Sequence, residues 1–441
     1  MKPRHFPFRL LVFLCCWFSA YSRASDTIAF VDVTVFPMDR DVALPHHTVI
    51  VVGDRITAVG PSQEISVPDG SQIIDGAGKY LIPGLAEMHG HNPPAGSSQS
   101  YIENTYFLFL ANGVTTVRGM LGWPGQLELR DKVRSGKLLG PSLYLAGPSF
   151  SGATVRSPSQ AELRVRQQKS EGWDLLKVHP GLKRSDYDAM ARTADSLAIR
   201  FAGHVPADVG LLHAIEMRQE TIDHLDGYIE YLQAEKSPID PAKLQEIVKL
   251  TRDTGTWVVP TMVLWETIIG AASLERMSAY PELRYMPAGE VQRWISGYQR
   301  RTTGPSFDRQ MALQIAANRR ILLLALHDGG ARILFGTDSP QQFSVPGFSI
   351  HREMKAMVDC GMTPFEVLQT ATKNVGEYFK GRDTFGLVMP GHRADLVLLK
   401  ANPVSDLSHL TQRAGVMVRG RWIPESEIAA GLARIAAESK H

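Results

Sequence analysis

The sequence predicts an α/β protein in which a (β/α)₈ TIM barrel carries a small β-sandwich assembled from both chain ends. Eight short apolar segments in the middle of the chain alternate with helical patterns, which is typical of parallel βαβ units closed into a barrel. Strand-like segments separated by Gly, Asp and Pro occupy both ends. The 441 residues are too many for one small domain but fit one large barrel with an accessory module.

The first 24 residues have the three parts of a secretory signal peptide. Lys2, Arg4 and Arg9 precede the apolar run "LLVFLCCWFSA", which is too short to span a bilayer, and small residues follow at Ser22 and Ala24. We therefore expect residues 1–24 to be cleaved and the protein to be exported, to the periplasm or as a secreted protein. A retained N-terminal membrane anchor is the alternative.

Cleavage changes both the charge and the cysteine content of the chain. Residues 1–24 hold four basic and no acidic residues, so the formal net charge changes from +2 to −2. No basic surplus remains for nucleic acid, and we expect no stable membrane insertion after cleavage. Cys15 and Cys16 also leave, so Cys360 stands alone without an internal disulfide partner. Its helical surroundings favour a packing role.

The β-rich ends and the barrel define the predicted domains. Residues 25–83 and 381–425 form the β-sandwich, residues 84–380 form the barrel, and residues 426–441 form a C-terminal tail or helix. Residues 263–331 are longer than a simple crossover and carry helical patterns, which predicts a helical insertion near the barrel mouth. The eight predicted barrel strands are "GLAEMHGH", "GVTTVRGM", "PSLYLAGP", "DLLKVHP", "IRFAGHVP", "ETIDHLDG", "TWVVPTM" and "ARILFGTDSP".

Ionisable residues fall at the carboxyl ends of the predicted strands, where barrels of this kind place their chemistry. They are His89 and His91 after the first strand, Lys177 late in the fourth, His204 and His224 after the fifth and sixth, and Asp338 after the eighth. Because strand side chains alternate, His89 and His91 point the same way. One histidine alone is more often structural, but this set of imidazoles and carboxylate predicts a site for a divalent metal such as Zn²⁺.

Several motifs together resemble the amidohydrolase superfamily, and within it the imidazolonepropionase-like and Xaa-Pro dipeptidase-like branch. They are "LIPGLAEMHGH", "ANGVTTVRGM", "GTDSP", "MTPFEVLQTATKNVGEYF" and "GLVMPGHRADLVLL". The resemblance implies the barrel, the two-ended sandwich and a metal-dependent hydrolase. It also implies that His89, His91, His204, His224 and Asp338 surround the metals. His204 lies in "AGHVPADVG", whereas many relatives have "HAHG", so we expect the neighbouring pocket to differ.

Lys177 decides the predicted number of metals. In two-metal branches of the resembled superfamily, a fourth-strand lysine carboxylated by CO₂ bridges both ions. Burial in the barrel would lower the pKa of Lys177 and favour the neutral amine that reacts with CO₂. The alternative is a lysine that reaches the mouth or pairs with Asp338 or a substrate carboxylate. We expect two Zn ions, or one if Lys177 is not carboxylated, and we expect His179 to be a loop or supporting residue.

The resemblance also suggests a mechanism and roles for individual side chains. Bound divalent cations make hydroxide available near neutral pH, and Asp338 then moves a proton from water to the leaving nitrogen. The predicted catalytic residues are Asp338, His224 and Tyr228, with Tyr228 also donating to the substrate carbonyl oxygen. Arg118 could hold a substrate carboxylate in a bidentate pair. Ordinary packing of Tyr228 and a structural salt bridge of Arg118 are the alternatives.

The predicted function is cleavage of an amide C–N bond in a small substrate by an exported metal-dependent amidohydrolase. Xaa-Pro dipeptides and N-acyl amino acids are the expected substrates, by analogy with the resembled branch. A cyclic-amide or imidazolone-type hydrolase is the alternative enzyme. A non-catalytic exported metal- or ligand-binding barrel is the alternative from another class. Homo-oligomer formation stays open.

Overall fold

The computed structural model describes residues 27–439. The predicted signal peptide, residues 1–24, lies outside the described residues. Within the described range, no helix has both the length and the apolar character that crossing a membrane requires.

The fold alternates short strands with helices through the middle of the chain and has further strands at both ends. The strands are β1 (Thr27–Val35), β2 (Leu44–Val52), β3 (Arg55–Pro61), β4 (Gln72–Asp75), β5 (Tyr80–Pro83), β6 (Leu85–Gly90), β7 (Val114–Gly119), β8 (Ser142–Leu145), β9 (Leu175–Val178), β10 (Arg200–Gly203), β11 (Thr221–Asp223), β12 (Trp257–Val259), β13 (Arg332–Ile333), β14 (Leu396–Leu399), β15 (Arg413–Val418) and β16 (Arg421–Pro424).

The helices fill the connections between the barrel strands and close the chain. They are α1 (Gln99–Ala111), α2 (Gln126–Arg134), α3 (Pro158–Glu171), α4 (Arg184–Ser196), α5 (Leu211–Glu216), α6 (Tyr228–Leu232), α7 (Pro241–Thr254), α8 (Met262–Ile268), α9 (Leu274–Ser278), α10 (Ala288–Thr302), α11 (Arg309–Asp328), α12 (Ser349–Asp359), α13 (Pro364–Thr370), α14 (Lys373–Tyr378) and α15 (Glu425–Glu438).

Two parallel sheets contain the eight strands of the central segment, in chain order. One sheet is β6-β7-β8 and the other is β9-β10-β11-β12-β13. Each of the eight predicted barrel segments contains one of these strands. An isolated bridge between Ala146 and Leu175 links β8 to β9, and Met88 N–H donates to Phe335 O at 2.8 Å beyond β13. The arrangement is consistent with a TIM-barrel-like fold.

Strands from both chain ends join in one eight-stranded sheet, in the order β16-β15-β14-β5-β1-β2-β3, with β4 beside β1. The two chain ends are joined by the antiparallel pairing of β14 with β5, two strands that lie far apart in the sequence. A small β-sandwich from both chain ends was predicted; the hydrogen-bond pairing confirms that strands of both ends come together and shows them in one sheet. Apolar side chains such as Phe30, Val49 and Leu398 are buried in a cluster of their own on this sheet.

The segment predicted as a helical insertion contains α9, α10, α11 and most of α8. Helix α8 contacts both α11 and α12, which places it over the end of β12. The predicted C-terminal tail or helix is α15, which packs on α1 and on the sheet strands β15 and β16.

Arg393 joins the terminal sheet to the parallel strands. Its Nε donates to Asp395 Oδ2 at 2.6 Å, and its Nη2 donates to Thr116 Oγ1 on β7 at 2.7 Å. Asp383 accepts from the same guanidinium. Only 5% of Arg393 is exposed. A buried guanidinium with several acceptors is costly to remove, because its carboxylate partners then stay buried without an opposite charge.

Replacing Arg393 by methionine (Arg393→Met) should therefore lower the free energy of unfolding by about 3–5 kcal/mol. Urea unfolding followed by circular dichroism measures this. Arg421→Met is the control, because its ion pair with Glu427 is exposed and should contribute less than about 1 kcal/mol. Equal effects of the two substitutions would contradict the assigned role of Arg393.

Candidate metal centre

The structure brings the six residues predicted as metal ligands into one group at the carboxyl ends of the parallel strands. The imidazole ring of His224 lies 4.4 Å from that of His89 and 4.5 Å from that of His204, between ring centroids. Lys177 Nζ lies 3.1 Å from His89 Nε2, and Asp338 Oδ1 lies 2.6 Å from His91 Nε2. Parallel strands produce this convergence because their carboxyl ends meet at one edge.

The tightest subset of the group consists of His89, His91 and Asp338. One ligand atom from each lies within 4.8 Å of the others. His89 and His91 alternate onto the same side of the chain at the end of β6, as the His-x-His spacing predicts. Two imidazoles and a carboxylate at this separation are suited to hold a divalent cation.

Three of the histidines have their Nδ1 atom engaged by a neighbouring oxygen. Asp223 Oδ2 lies 2.7 Å from His89 Nδ1, and Asp226 Oδ2 lies 2.6 Å from His204 Nδ1. Thr261 Oγ1 lies 2.7 Å from His224 Nδ1. Because Nδ1 is engaged, Nε2 is the nitrogen left to bind a ligand.

The Nε2 atom of His224 gives a direct test of whether these residues fit a metal. Within the described residues this atom is buried and has no hydrogen-bond partner. A buried polar atom without a partner costs free energy, and a metal ion at this position would satisfy it. The donor set therefore fits a divalent cation.

Burial and local charge set the protonation states that a cation requires. Burial lowers the pKa of His89 to about 4, so its imidazole is neutral. Burial opposes ionisation of Asp338, but His89 and His91 outweigh it and lower the pKa of the carboxyl group to about 2. The neutral imidazole of His89 and the ionised carboxylate of Asp338 are the forms that bind metals.

Lys177 lies on β9 with its ammonium group inside the group of ligands. The side chain is fully buried, and this burial lowers its pKa to about 8. The alternation predicted from the sequence is observed, since Leu175 on the same face packs in an interior cluster with Met120, Ala146 and Ala202. A buried lysine of lowered pKa is available as a neutral amine more often than a surface lysine.

The backbone of the site adopts conformations that are unfavourable for residues with a side chain. His224, Thr261 and Asp338 have φ values of 64°, 44° and 60°, in the left-handed region. Such residues cost about 1–3 kcal/mol each and concentrate at functional sites. The left-handed turns place these side chains just beyond the ends of β11, β12 and β13.

Glu87 is a buried residue of the site that the sequence analysis did not identify. Its Oε1 accepts from His89 N at 2.9 Å and from Thr337 N at 2.8 Å, so it joins β6 to the residue before Asp338. Burial raises its pKa to about 8. The alternation that aligned His89 with His91 also applies to Glu87, two residues earlier, and could have identified it.

Asp223 and Asp226 were also missed, although both flank His224 in "TIDHLDG". No periodicity assigns them to His89 and His204, because those contacts connect different strands. His179, expected as a loop or supporting residue, stacks on His204 with ring centroids 5.0 Å apart.

A cavity of about 730 Å³ opens beside His204 and Asp226. Trp265 of α8 lines this cavity and also stacks on His224, with ring centroids 5.1 Å apart and an interplanar angle of 13°. The predicted insertion thus reaches the ligand group through Trp265. The apolar side chains that line the cavity are Pro180, Val205, Pro206, Ala207, Val209, Leu211, Leu212, Tyr231 and Trp265. Its ionisable lining residues are Arg184, His204, His213, Glu216, Asp226 and Glu230.

Tyr228 and Arg118 are both buried and contact other residues of the protein. Tyr228 is fully buried on α6, and its hydroxyl group lies 2.8 Å from Thr251 Oγ1 on α7. Arg118 is also fully buried, and its guanidinium donates to Asp223 and other protein groups. These contacts favour the alternatives of ordinary packing for Tyr228 and a structural salt bridge for Arg118, and the substrate contacts of the two residues stay predictions.

The TIM-barrel-like fold and the group of candidate metal ligands are both consistent with a metal-dependent hydrolase, and comparison with known families identifies the family. The model of the amidohydrolase family matches residues 80–423. The chain therefore belongs to the amidohydrolase family, whose members are metal-dependent hydrolases that act on carbon–nitrogen bonds.

Individual relatives are distant and differ in their named substrates. The chain is 23% identical over 409 residues to adenine deaminase 3 of Rhizobium meliloti (strain 1021), covering 87% of this chain but only 56% of that protein. It is 26% identical over 393 residues to an imidazolonepropionase of Streptomyces griseus, covering 85% of this chain and 90% of the relative. The chain thus spans little more than half of the deaminase and most of the imidazolonepropionase.

Solved structures agree on the fold. A Xaa-Pro dipeptidase crystallised with methionine in its active site superposes with a TM-score of 0.69 at 21% identity. The match covers 90% of this chain and the whole of that chain. At this identity the likeness establishes the fold and leaves the substrate open.

The buried hydroxyl group of Tyr228, which contacts Thr251, leads to a testable prediction. Replacing Tyr228 by phenylalanine (Tyr228→Phe) should leave metal binding unchanged, because the hydroxyl group contacts Thr251 and not the ligands. The free energy of unfolding should fall by about 1 kcal/mol through loss of one buried hydrogen bond. Metal titration and urea unfolding measure the two effects. A large loss of turnover by Tyr228→Phe, with metal affinity and stability unchanged, would instead support the predicted contact of Tyr228 with the substrate carbonyl oxygen.

Proposed function

We propose that the protein hydrolyses an amide-type C–N bond of a small substrate, a Xaa-Pro dipeptide or an N-acyl amino acid. The observation that carries this proposal is the convergence of His89, His91, His224 and Asp338 with the Nδ1 atoms of His89 and His224 already engaged. A divalent cation held there would lower the pKa of water and polarise the substrate carbonyl group. His204 and Lys177 border the same space and would hold a second cation.

Asp338 has the geometry of a proton carrier. Its Oδ1 lies 2.6 Å from His91 Nε2, while its Oδ2 lies 3.8 Å from His224 Nε2. It is the carboxylate of the tightest ligand group, and its side chain is only 6% exposed. A carboxylate beside an attacking water can accept a proton and return it to the leaving nitrogen. The non-catalytic alternative requires no such group.

The apolar part of the cavity beside His204 favours a substrate with an apolar side chain. Its apolar walls run from the turn after β10 to Trp265 on α8, directly next to the ligand group. Burying apolar substrate surface there favours binding by about 25 cal/mol per Å². We infer that a hydrophobic residue of the substrate occupies this cavity while its amide carbon faces Asp338.

A cyclic-amide hydrolase is the second candidate. The similarity to an imidazolonepropionase over 90% of that enzyme's length favours it. Lys177 favours the dipeptidase-like candidate, because a carboxylated lysine would provide the bridge between two cations that single-metal enzymes lack. We further propose that residues 1–24 direct export.

Purified protein reconstituted with Zn²⁺, Mn²⁺ or Co²⁺ should release the amino acid from N-acyl or Xaa-Pro substrates with hydrophobic residues. Asp338→Asn should lower kcat by about 10²–10⁴-fold through loss of the proton carrier. Amine-release assays with metal analysis of both proteins measure this. Turnover of an imidazolone but of no dipeptide or N-acyl amino acid would favour the second candidate. No turnover of any substrate at full metal occupancy would favour the non-catalytic alternative.

Lys177→Ala should reduce the bound metal from two ions per chain to one. The neutral amine of Lys177 would attack CO₂ and release one proton to solvent, forming a carbamate that would supply ligand oxygens for a second cation. Mass spectrometry of the metal-loaded protein and metal analysis after CO₂ removal measure the carbamate and the ion count. Lys183→Ala is the matched control, because Lys183 is exposed to solvent immediately before α4. An unchanged ion count in Lys177→Ala would contradict the bridge.

A further inference from the structure

Arg118 lies in the interior of the parallel strands, and each part of its guanidinium has a protein acceptor. Nε donates to Met88 O at 2.6 Å, and Nη1 donates to Tyr378 Oη at 3.1 Å. Nη2 donates to Thr221 Oγ1 at 3.2 Å and to Asp223 Oδ1 at 3.3 Å. A buried arginine of this kind orients its acceptors, because its planar fork fixes the directions of several hydrogen bonds at once.

Asp223 connects this arginine to the ligand group. Its Oδ1 faces Arg118 and accepts from Thr221 Oγ1 at 2.6 Å, while its Oδ2 lies 2.7 Å from His89 Nδ1. An aspartate held in this way can accept a hydrogen bond from Nδ1–H, which leaves the Nε2 lone pair of His89 directed at a ligand. Both Asp223 and His89 are buried, so water does not replace either contact.

The chain of contacts continues to the opposite ends of the strands. Tyr378 Oη accepts from Arg118 and donates to Glu220 Oε2 at 2.6 Å. Glu220 and Tyr378 line a second cavity of about 1190 Å³ at the amino ends of β10 to β13, away from the metal ligands. Tyr378 thereby limits the positions that the Arg118 guanidinium can adopt.

We propose that Arg118 is a positioning residue for the metal centre and acts through Asp223 to fix the tautomer and orientation of His89. This inference rests on the metal site of the proposed function. It replaces the substrate-binding role that the sequence suggested for Arg118. It also assigns positioning roles to Asp223 and Tyr378. The effect of each residue on the metal centre should decrease with its distance from His89, so Asp223 should have the largest effect and Tyr378 the smallest.

The proposal is tested by measuring the zinc affinity of the metal-free, full-length protein by competition with a chromophoric chelator. Asp223→Asn should weaken zinc binding about 10–100-fold, as loss of a carboxylate partner of a metal-binding histidine does. Arg118→Met should also weaken zinc binding, by a smaller factor. The double variant should bind zinc no more weakly than Asp223→Asn alone, because coupled residues are not additive.

The visible spectrum of bound Co²⁺ adds a readout that a purely structural role would not change. Arg118→Met and Asp223→Asn should alter this spectrum. Arg393→Met is the matched control, a buried ion-paired arginine that contacts no ligand, and it should lower stability while keeping both zinc affinity and spectrum. Unchanged affinity and spectrum in Arg118→Met would overturn the proposal, as would multiplicative effects in the double variant.

Tyr378→Phe provides a milder variant if Arg118→Met does not fold. It removes one hydroxyl group and should weaken zinc binding a few-fold, whereas unchanged zinc affinity and Co²⁺ spectrum would overturn the proposal. The outcome is separate from that of the proposed function, since zinc affinity is measured without turnover. A protein that binds zinc as described but hydrolyses nothing would contradict the proposed function and leave the role of Arg118 supported.

Discussion

The site depends on the short contacts between Nδ1 of His89, His204 and His224 and a neighbouring oxygen atom, a hydrogen bond for His204 and His224 and an ion-pair contact for His89. Each of these contacts fixes one nitrogen of an imidazole and leaves the other directed into the shared space. The partners Asp223, Asp226 and Thr261 come from the ends of β11 and β12, whereas His89 belongs to β6 and His204 follows β10. These contacts form only if the carboxyl ends of the parallel strands lie close together. The site therefore depends on the arrangement of several strands and not on any single one.

The same residues adopt unfavourable backbone conformations, so other parts of the fold must stabilise them. His224 and Asp338 have positive φ values directly beyond their strands. Glu87 accepts hydrogen bonds from Thr337, next to Asp338, and Arg319 donates to the carbonyl oxygens of His224 and Pro260. These buried contacts, together with an extensive apolar core, offset the local strain.

The strand ends were predictable from the sequence because they depend on local pattern. Alternation and the positions of the strand ends predicted that the metal ligands lie at one end of the parallel strands, namely His89, His91, Lys177, His204, His224 and Asp338. The directions of single polar side chains were not predictable in the same way. Tyr228 points to α7 and Arg118 points inward to Asp223, since each contact joins residues distant in sequence. The pairing of β14 with β5 is similarly non-local, and the one-sheet arrangement of the chain ends followed from it.

Anomalous diffraction at the zinc absorption edge, from crystals grown with Zn²⁺, tests the central claim most directly. We predict a peak bordered by His89, His91 and Asp338, with His89 Nε2 facing the metal while its Nδ1 contacts Asp223. A peak located elsewhere, or a His89 that binds metal through Nδ1 with Asp223 released, would contradict this account of the site.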